Sequence, residues 1–337
     1  MNEKENKNQV LMLKSKKAII TGISGQDGSY LAELLFSKGY EIYGVDKSFD
    51  NLTENIKIKV KMLYKLDLTK PKLLSKLILD ITPNEIYHLA AYHFSNQQDG
   101  NRLMSFGPFN SINLLATNEI LETIRNYLPN CKFFYASSSH IFGNVDHYPQ
   151  NEETPYRPES LYSITKTAGG ELCKFFREYY GVFVSVGILY NHESPRRNLS
   201  FITAQIAEAA AKASLELPAK LTVRDLDSIV DWGAAQDYVK AMWLALQQHR
   251  SDDYIISSGV AKKVRDFAEI AFNYVGLNAN EYIIQDQIIH RSESVTLIGD
   301  STKIRKICGW SPEISFNELV IEMVDKYISR FSNVIEV

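Results

Sequence analysis

Tyr162 and Lys166 stand four residues apart in LYSITKTAGGELCKFFREYY, a segment whose apolar spacing predicts a helix. Side chains at i and i+4 share one helix face, so a phenol and an ammonium are held as neighbours. A tyrosine hydroxyl with its ordinary pKa of about 10 is a poor base at neutral pH. A nearby cation favours the phenolate and brings it into working range. Such a phenolate takes the proton of a carbinol while hydride leaves the same carbon for an acceptor. Ser138 ends the strand-like run KFFYASSS, where its hydroxyl can hydrogen-bond the reacting oxygen. Tyr-x-x-x-Lys is common by chance and gains its meaning from what accompanies it.

Its companion is Thr21-Gly22-Ile23-Ser24-Gly25-Gln26-Asp27-Gly28, set between the strand-like KKAIITG and the helix-like SYLAELLFSKG. Glycines let a backbone approach a pyrophosphate, and the N–H groups and dipole of the next helix face the anion. Thr21, Gly22, Gly25, Gln26, Asp27 and Gly28 are therefore candidate dinucleotide contacts. Asp46 closes the second strand-like run, YEIYGVD. A carboxylate there accepts hydrogen bonds from both ribose hydroxyls and repels a 2′-phosphate, which favours NAD. Lys47 beside it keeps NADP as the alternative, and a plain turn is the other reading of Asp46. Asp67, after the third strand, is placed either to reach an adenine or to make a turn.

The elements that must carry these groups follow a regular beat. Short apolar strands alternate with amphipathic helices up to about residue 190, which predicts an α/β fold with a parallel sheet covered on both faces. Residues 1–16, rich in Lys, Asn and Glu, read as a flexible leader. Residues 17–190 read as a dinucleotide-binding domain with the Tyr/Lys pair. Residues 191–337 read mainly as a smaller substrate lobe, some of whose segments return to the sheet. Hydrophobic residues at 45% and charged residues at 23% exclude disorder, collagen and coiled coil. With 37 Lys and Arg against 40 Asp and Glu, the net charge of −3 offers nucleic acid no basic footprint. No apolar run reaches the roughly 18 residues of a membrane span, and the polar start MNEKENKNQV is no secretory signal, so a cytoplasmic protein is expected. Cys131, Cys173 and Cys308 lie far apart without a CxxC, and His88, His93, His147, His249 and His290 show no ligand spacing, so no metal is expected.

The chain as a whole resembles an extended short-chain dehydrogenase/reductase, and most closely the GDP-mannose 4,6-dehydratase family. The segments that carry the likeness are TGISGQDGSYLAE, DLT at 67–69, PNEIYHLAA, YNHESPRR at 190–197, DWGAAQDYV at 231–239 and LIGDSTKIRKICGW. The resemblance implies a Rossmann-type doubly wound parallel sheet with a smaller mixed C-terminal lobe, and a homodimer or homotetramer. It places Leu68, Leu89 and Ala90 beside a bound NAD or NADP. It makes Asn191, Arg291 and Glu293 contacts for a nucleotide sugar, expected to be GDP-linked. The implied reaction oxidises C4 with Tyr162 as base, Lys166 lowering its pKa and Ser138 beside the oxygen. Water is then lost across C5 and C6, and hydride returns to C6 to give a 4-keto-6-deoxy sugar.

Two departures from that pattern bear on the chemistry. The family's glutamate, its C5 base and leaving-group acid, is replaced by His140 in Ser137-Ser138-Ser139-His140-Ile141-Phe142-Gly143. An imidazole of ordinary pKa about 6.5 can move a proton from C5 to the departing hydroxyl. The alternative is a C4 epimerase or C4 oxidoreductase that never dehydrates. The phosphate clamp is also thinned: Val230 stands where an arginine usually precedes DWG, and Asn198, Ala204 and Gln205 replace Gly, Arg and Lys.

Overall fold

A computed structural model describes residues 15–70, 72–93, 105–145, 147–285 and 296–335. Arg291, Glu293 and His290 lie outside the described residues, as do the first 14 residues of the expected leader. In chain order the first half runs β1 (Lys17–Thr21), α1 (Gln26–Ser37), β2 (Glu41–Asp46), α2 (Glu54–Lys57), β3 (Met62–Lys65), α3 (Lys72–Ile81), β4 (Glu85–His88), α4 (Phe106–Phe109), α5 (Ala116–Tyr127), β5 (Lys132–Ser138), α6 (Leu161–Tyr180) and β6 (Val184–Leu189). There follow β7 (Asn191–Glu193), α7 (Ile202–Ser214), β8 (Leu221–Val223), β9 (Ile229–Ala234), α8 (Ala235–Gln247), β10 (Asp253–Ile256), β11 (Ala261–Lys263), α9 (Val264–Tyr274), β12 (Ile283–Gln285), α10 (Thr302–Cys308) and α11 (Phe316–Ile335).

Seven strands pair in parallel in the order β10-β6-β5-β4-β1-β2-β3. The order reverses between β1 and β4, which opens a crevice at their carboxyl ends. Strands β4 and β6 are buried along their whole length, as strands covered on both faces must be. Leu31, Leu35, Met242 and Leu246 of α1 and α8 fill one side of the sheet. Leu74, Ile78, Ile120, Ile124 and Cys173 of α3, α5 and α6 fill the other. Strand β10 arrives from beyond residue 190 and pairs with β6.

The smaller lobe holds the mixed sheet β11-β9-β7 and the pair β12-β8. Its core is the alanine face of α7, with Ala204, Ala207 and Ala211 packed in one cluster with Val320, Met323 and Val324 of α11. Small side chains there bring helix axes close together. All three cysteines are buried and unpaired. Among the described residues no helix is long and apolar enough to cross a membrane, and no three His, Cys, Asp or Glu side chains are grouped to hold a metal ion.

The structure corrects two local expectations. Ser15 and Lys16, read as leader, are fastened to the sheet edge. Ser15 donates to Glu41 at 3.0 Å, and the Lys16 ammonium lies 3.2 Å from Glu85. Glu85 is buried and also accepts from the Tyr40 and Tyr87 hydroxyls, so it needs a cation beside it. Within the predicted helix NSINLLATNEILETIRNYL, residues Asn110–Leu115 form a π-helical turn, with Asn113 fully buried.

Candidate active site

The crevice between β1 and β4 is lined by backbone. Gly22 has φ +75°, and a Cβ there would lie 2.7 Å from the Ala90 nitrogen. A Cβ on Gly28 would come within 2.3 Å of the Gly22 carbonyl oxygen. Gly25 is the N-cap of α1 and offers no side chain to the first turn of N–H groups. A Cβ on Gly25 would meet only Gly22 O within 4 Å, so its outer side is open. An uncapped helix end behind an open glycine fits a pyrophosphate.

Three of the expected contacts in this turn face inward instead. The Thr21 hydroxyl is 2.7 Å from His88 Nδ1 and accepts from the Ala90 N–H. His88 Nε2 faces the Ile112 carbonyl at 3.2 Å and must donate to it, which leaves Nδ1 to accept from Thr21. Burial brings the His88 pKa down to about 3, so the ring is neutral. Gln26 donates to the His192 carbonyl and accepts from the Ser194 hydroxyl at 2.7 Å. The Asp27 carboxylate lies 2.9 Å from His192 Nε2. Side chains of Thr21, Gln26 and Asp27 thus brace the loop, whose own N–H groups at Gly22, Ser24 and Gly25 go to Val45, Asp46 and Gly22, so that the first turn of α1 is what faces the crevice.

The other cofactor candidates ring the same edge. The Asp46 carboxylate accepts from the N–H groups of Ser24 at 3.0 Å and Lys47 at 2.8 Å, joining the glycine turn to the end of β2. Asp67 is exposed and accepts from the Thr69 N–H at 3.0 Å, which is the turn role. Leu68 is buried in the core beneath it. Leu89 and Ala90 follow β4 directly, the first donating its N–H to the Thr21 carbonyl.

Beside this cradle sits the Tyr162 group. A reciprocal Ser160/Ser163 capping box starts α6 and sets Tyr162 in its first turn. Ser138 lies close enough to the Tyr162 hydroxyl to favour its phenolate, but burial outweighs that and raises its pKa to about 12. Lys166 is buried, donates to the Ala136 carbonyl at 2.7 Å and lies 5.9 Å from the Tyr162 ring centre. Burial lowers its pKa to about 7. Helix α6 is seated closely: a Cβ on Gly169 would strike the Tyr135 hydroxyl, which itself donates to the Asn113 carbonyl.

Two imidazoles face the same tyrosine. The His140 ring centre is 6.3 Å from that of Tyr162 at 77°. It opens onto the cleft, while desolvation by the walls lowers its pKa. His93, which sequence spacing gave no role, is nearer, at 4.8 Å and 87°. Its one available signal was position, just past the carboxyl end of β4. Arg197, in the segment YNHESPRR, is not left as a free surface charge. Instead it packs 3.5 Å over the Phe201 ring centre, 3.0 Å from Glu193, near enough for its charge to lower the pKa of both Tyr162 and His93. Arg196 is the structural partner, bonded to Ser29 and to Glu33 at 2.7 Å. Asn191 begins β7 and is half-buried beside this edge.

A family model described as GDP-mannose 4,6 dehydratase matches residues 19–323. The chain is 38% identical over 330 residues to GDP-mannose 4,6 dehydratase 2 of Arabidopsis thaliana, covering 92% of this chain and 86% of that protein. The chain belongs to the GDP-mannose 4,6-dehydratase family. The human GDP-mannose 4,6 dehydratase is 36% identical over 338 residues, covering 91% of this chain and 90% of its own length. A solved dTDP-glucose 4,6-dehydratase from Bacillus anthracis, in complex with NAD, matches with TM-score 0.81 at 20% identity over 94% of this chain and 98% of that one, and so shares the fold.

Within the GDP-mannose 4,6-dehydratase family this chain's clamp residues are uncharged and otherwise engaged. Ala204 is fully buried in the lobe core, Gln205 donates to the Leu199 carbonyl, and Asn198 accepts from the Ser200 N–H. What the segment 190–197 does supply is a fastening. His192 stacks on Tyr238 at 4.5 Å and faces both the Tyr190 carbonyl and Asp27, two acceptors that demand a proton on each ring nitrogen. Burial by itself would lower the His192 pKa and raise that of Asp27. Their mutual attraction reverses both shifts.

The sign of the pH dependence follows. The raised His192 pKa gives stability that is complete below about pH 6.5 and is lost as pH rises through the raised value. The lowered Asp27 pKa gives stability present above the ordinary carboxylate range and lost as pH falls through the lowered value. His192→Gln is expected to cost ~3 kcal/mol near pH 6, because it strands a largely buried carboxylate. The gap to wild type in urea titrations should narrow as pH rises; a gap that stays constant would contradict the charged pair.

Proposed function

We propose that this chain is a nucleotide-sugar 4,6-dehydratase acting on a GDP-linked hexose with a tightly held nicotinamide dinucleotide. The observation that carries it is the Ser138–Tyr162–Lys166 group beside an open glycine cradle, in a chain of this family. The glycine turn, with Asp46, Leu68, Leu89 and Ala90 around it, would hold the dinucleotide. Asp46 favours NAD over NADP, since its carboxylate would stand against a 2′-phosphate. When bound, the nicotinamide supplies an acceptor and donor of hydride and a positive charge beside the phenol.

The chain's own residues do the rest. Tyr162 takes the C4 hydroxyl proton. Burial disfavours both phenolate and ammonium, so the Tyr162–Lys166 pair gains its charges together, on moving one proton. Ser138 donates to the C4 oxygen as it becomes a carbonyl. That carbonyl acidifies C5–H, and His140, whose ring centre lies 6.3 Å from that of Tyr162, is the base proposed to remove it. The sugar leaves with C4 oxidised, C6 reduced and one water lost, so no external oxidant enters. Asn191, Arg291 and Glu293 are proposed substrate contacts, Arg291 and Glu293 on sequence grounds alone.

Further support concerns where and with what the chain works. Three buried, unpaired thiols suit a reducing cytoplasm. Phe175, Tyr179 and Tyr180 of α6 and Tyr127 of α5 are exposed aromatics on neighbouring helices, a face suited to a second copy of the chain.

Incubation with GDP-mannose should give a C6 methyl doublet by proton NMR, and Tyr162→Phe should lower that rate by about 10²-fold or more with dinucleotide still bound. A hexose with only C4 inverted would replace this reading with the epimerase one. Mass spectrometry of the dinucleotide released on denaturation should show NAD; NADP would mean that Lys47 prevails over Asp46. Light scattering should give at least a dimer, and Phe175→Glu with Tyr179→Glu should yield monomers; an unchanged mass would place the contact elsewhere.

A further inference from the structure

Elimination across C5 and C6 needs two proton movements, one off C5 and one onto the C6 oxygen. The cleft offers two imidazoles for them. His140 and His93 come from different strand ends and both face the Tyr162 ring, at 6.3 and 4.8 Å. The backbone before His93 is fixed to the helix that carries Tyr162. Asn113 accepts from the Tyr92 N–H at 3.0 Å, donates to the Tyr92 carbonyl at 3.3 Å and donates to the Thr165 hydroxyl at 3.1 Å. Phe201 stacks on the His93 ring at 5.9 Å, so its plane is held as well as its position.

On the dehydratase reading, we propose that His93 is the leaving-group acid, taking from Tyr162 the proton of the C4 hydroxyl and delivering it to the C6 oxygen. His140 removes the C5 proton in the same elimination. The C5–H electron pair becomes the second C5–C6 bond, the C6–O pair departs with the oxygen, and the His93 proton completes the water. Hydride taken from C4 returns to C6 as His140 gives its proton back to C5. Tyr162 then ends as phenolate and both imidazoles end neutral, as they began; the proton lost in the water is the one that left the C4 oxygen. Desolvation and the neighbouring charges of His140, Arg197 and Lys166 hold the His93 pKa at about 4, far below that of Tyr162, so the ring rests neutral and carries the Tyr162 proton only as the C6–O bond breaks.

The test compares wild type with His93→Gln, both carrying their dinucleotide, on GDP-mannose and on its 6-deoxy-6-fluoro analogue. Fluoride departs without needing a full proton, so only loss of hydroxide depends on the acid. His93→Gln is expected to lose water about 10²-fold more slowly than wild type. It should still exchange the C5 hydrogen with D2O and release fluoride near the wild-type rate. Equal slowing of water and fluoride release would make His93 a packing residue and overturn the assignment, as would undiminished water loss. If His93→Gln emerges without dinucleotide, His93→Asn carries the same comparison. A wild-type protein that returns only a C4 epimer of the hexose and releases no fluoride would sink the dehydratase reading itself, and this role with it.

Discussion

Because the seven strands of the main sheet run parallel, their carboxyl ends share one edge, and Thr21, Asp46, His88, Ser138 and Leu189 stop there together. Antiparallel pairing anywhere among them would send alternate ends to the far side and scatter the group. The reversal of strand order between β1 and β4 adds the gap into which a ligand can sink. Ser138 is the last residue of a strand, His93 and His140 follow strand ends, and Tyr162 and Lys166 lie in the first turns of a helix that packs across that edge. Tyr162 and Lys166 reach it because α6 lies flat on β5, with Gly169 giving way to Tyr135.

The edge is also a place where charge is expensive. Lys166, His88, His93 and His140 have lowered pKa values and Tyr162 a raised one, in each case first because solvation is withheld. Asp27 and His192 are the exception that shows the rule, since each keeps its charge by facing the other. A site of this kind is quiet when empty and moves protons between neighbours rather than to water. That suits a reaction in which a proton and a hydride leave one carbon and reappear a bond or two away.

Much of this was legible in the residues. The strand and helix beat, the glycine turn and the Tyr162–Lys166 spacing are local patterns, so the sheet and the helix that carries this pair followed from sequence. Inward use of Thr21 and Asp27 was not legible, because their partners His88 and His192 stand 67 and 165 residues away and only the folded chain brings them together. His93 escaped for a related reason: one histidine after a strand has no spacing to read, and its meaning comes from the ring of Tyr162 beside it. The π turn at Asn110–Leu115 has no strong sequence signature, yet its Asn113 anchors the His93 segment.

The fastening of residues 192–196 onto the first helix has a consequence for turnover. Gln26, Asp27, Ser29 and Glu33, all on the helix that would carry the pyrophosphate, are bonded to His192, Ser194 and Arg196 from the start of the second half of the chain. Exchange of a dinucleotide seated there would work against several coupled bonds at once. An enzyme stitched in this way would hold its coenzyme as a prosthetic group, recycled in place.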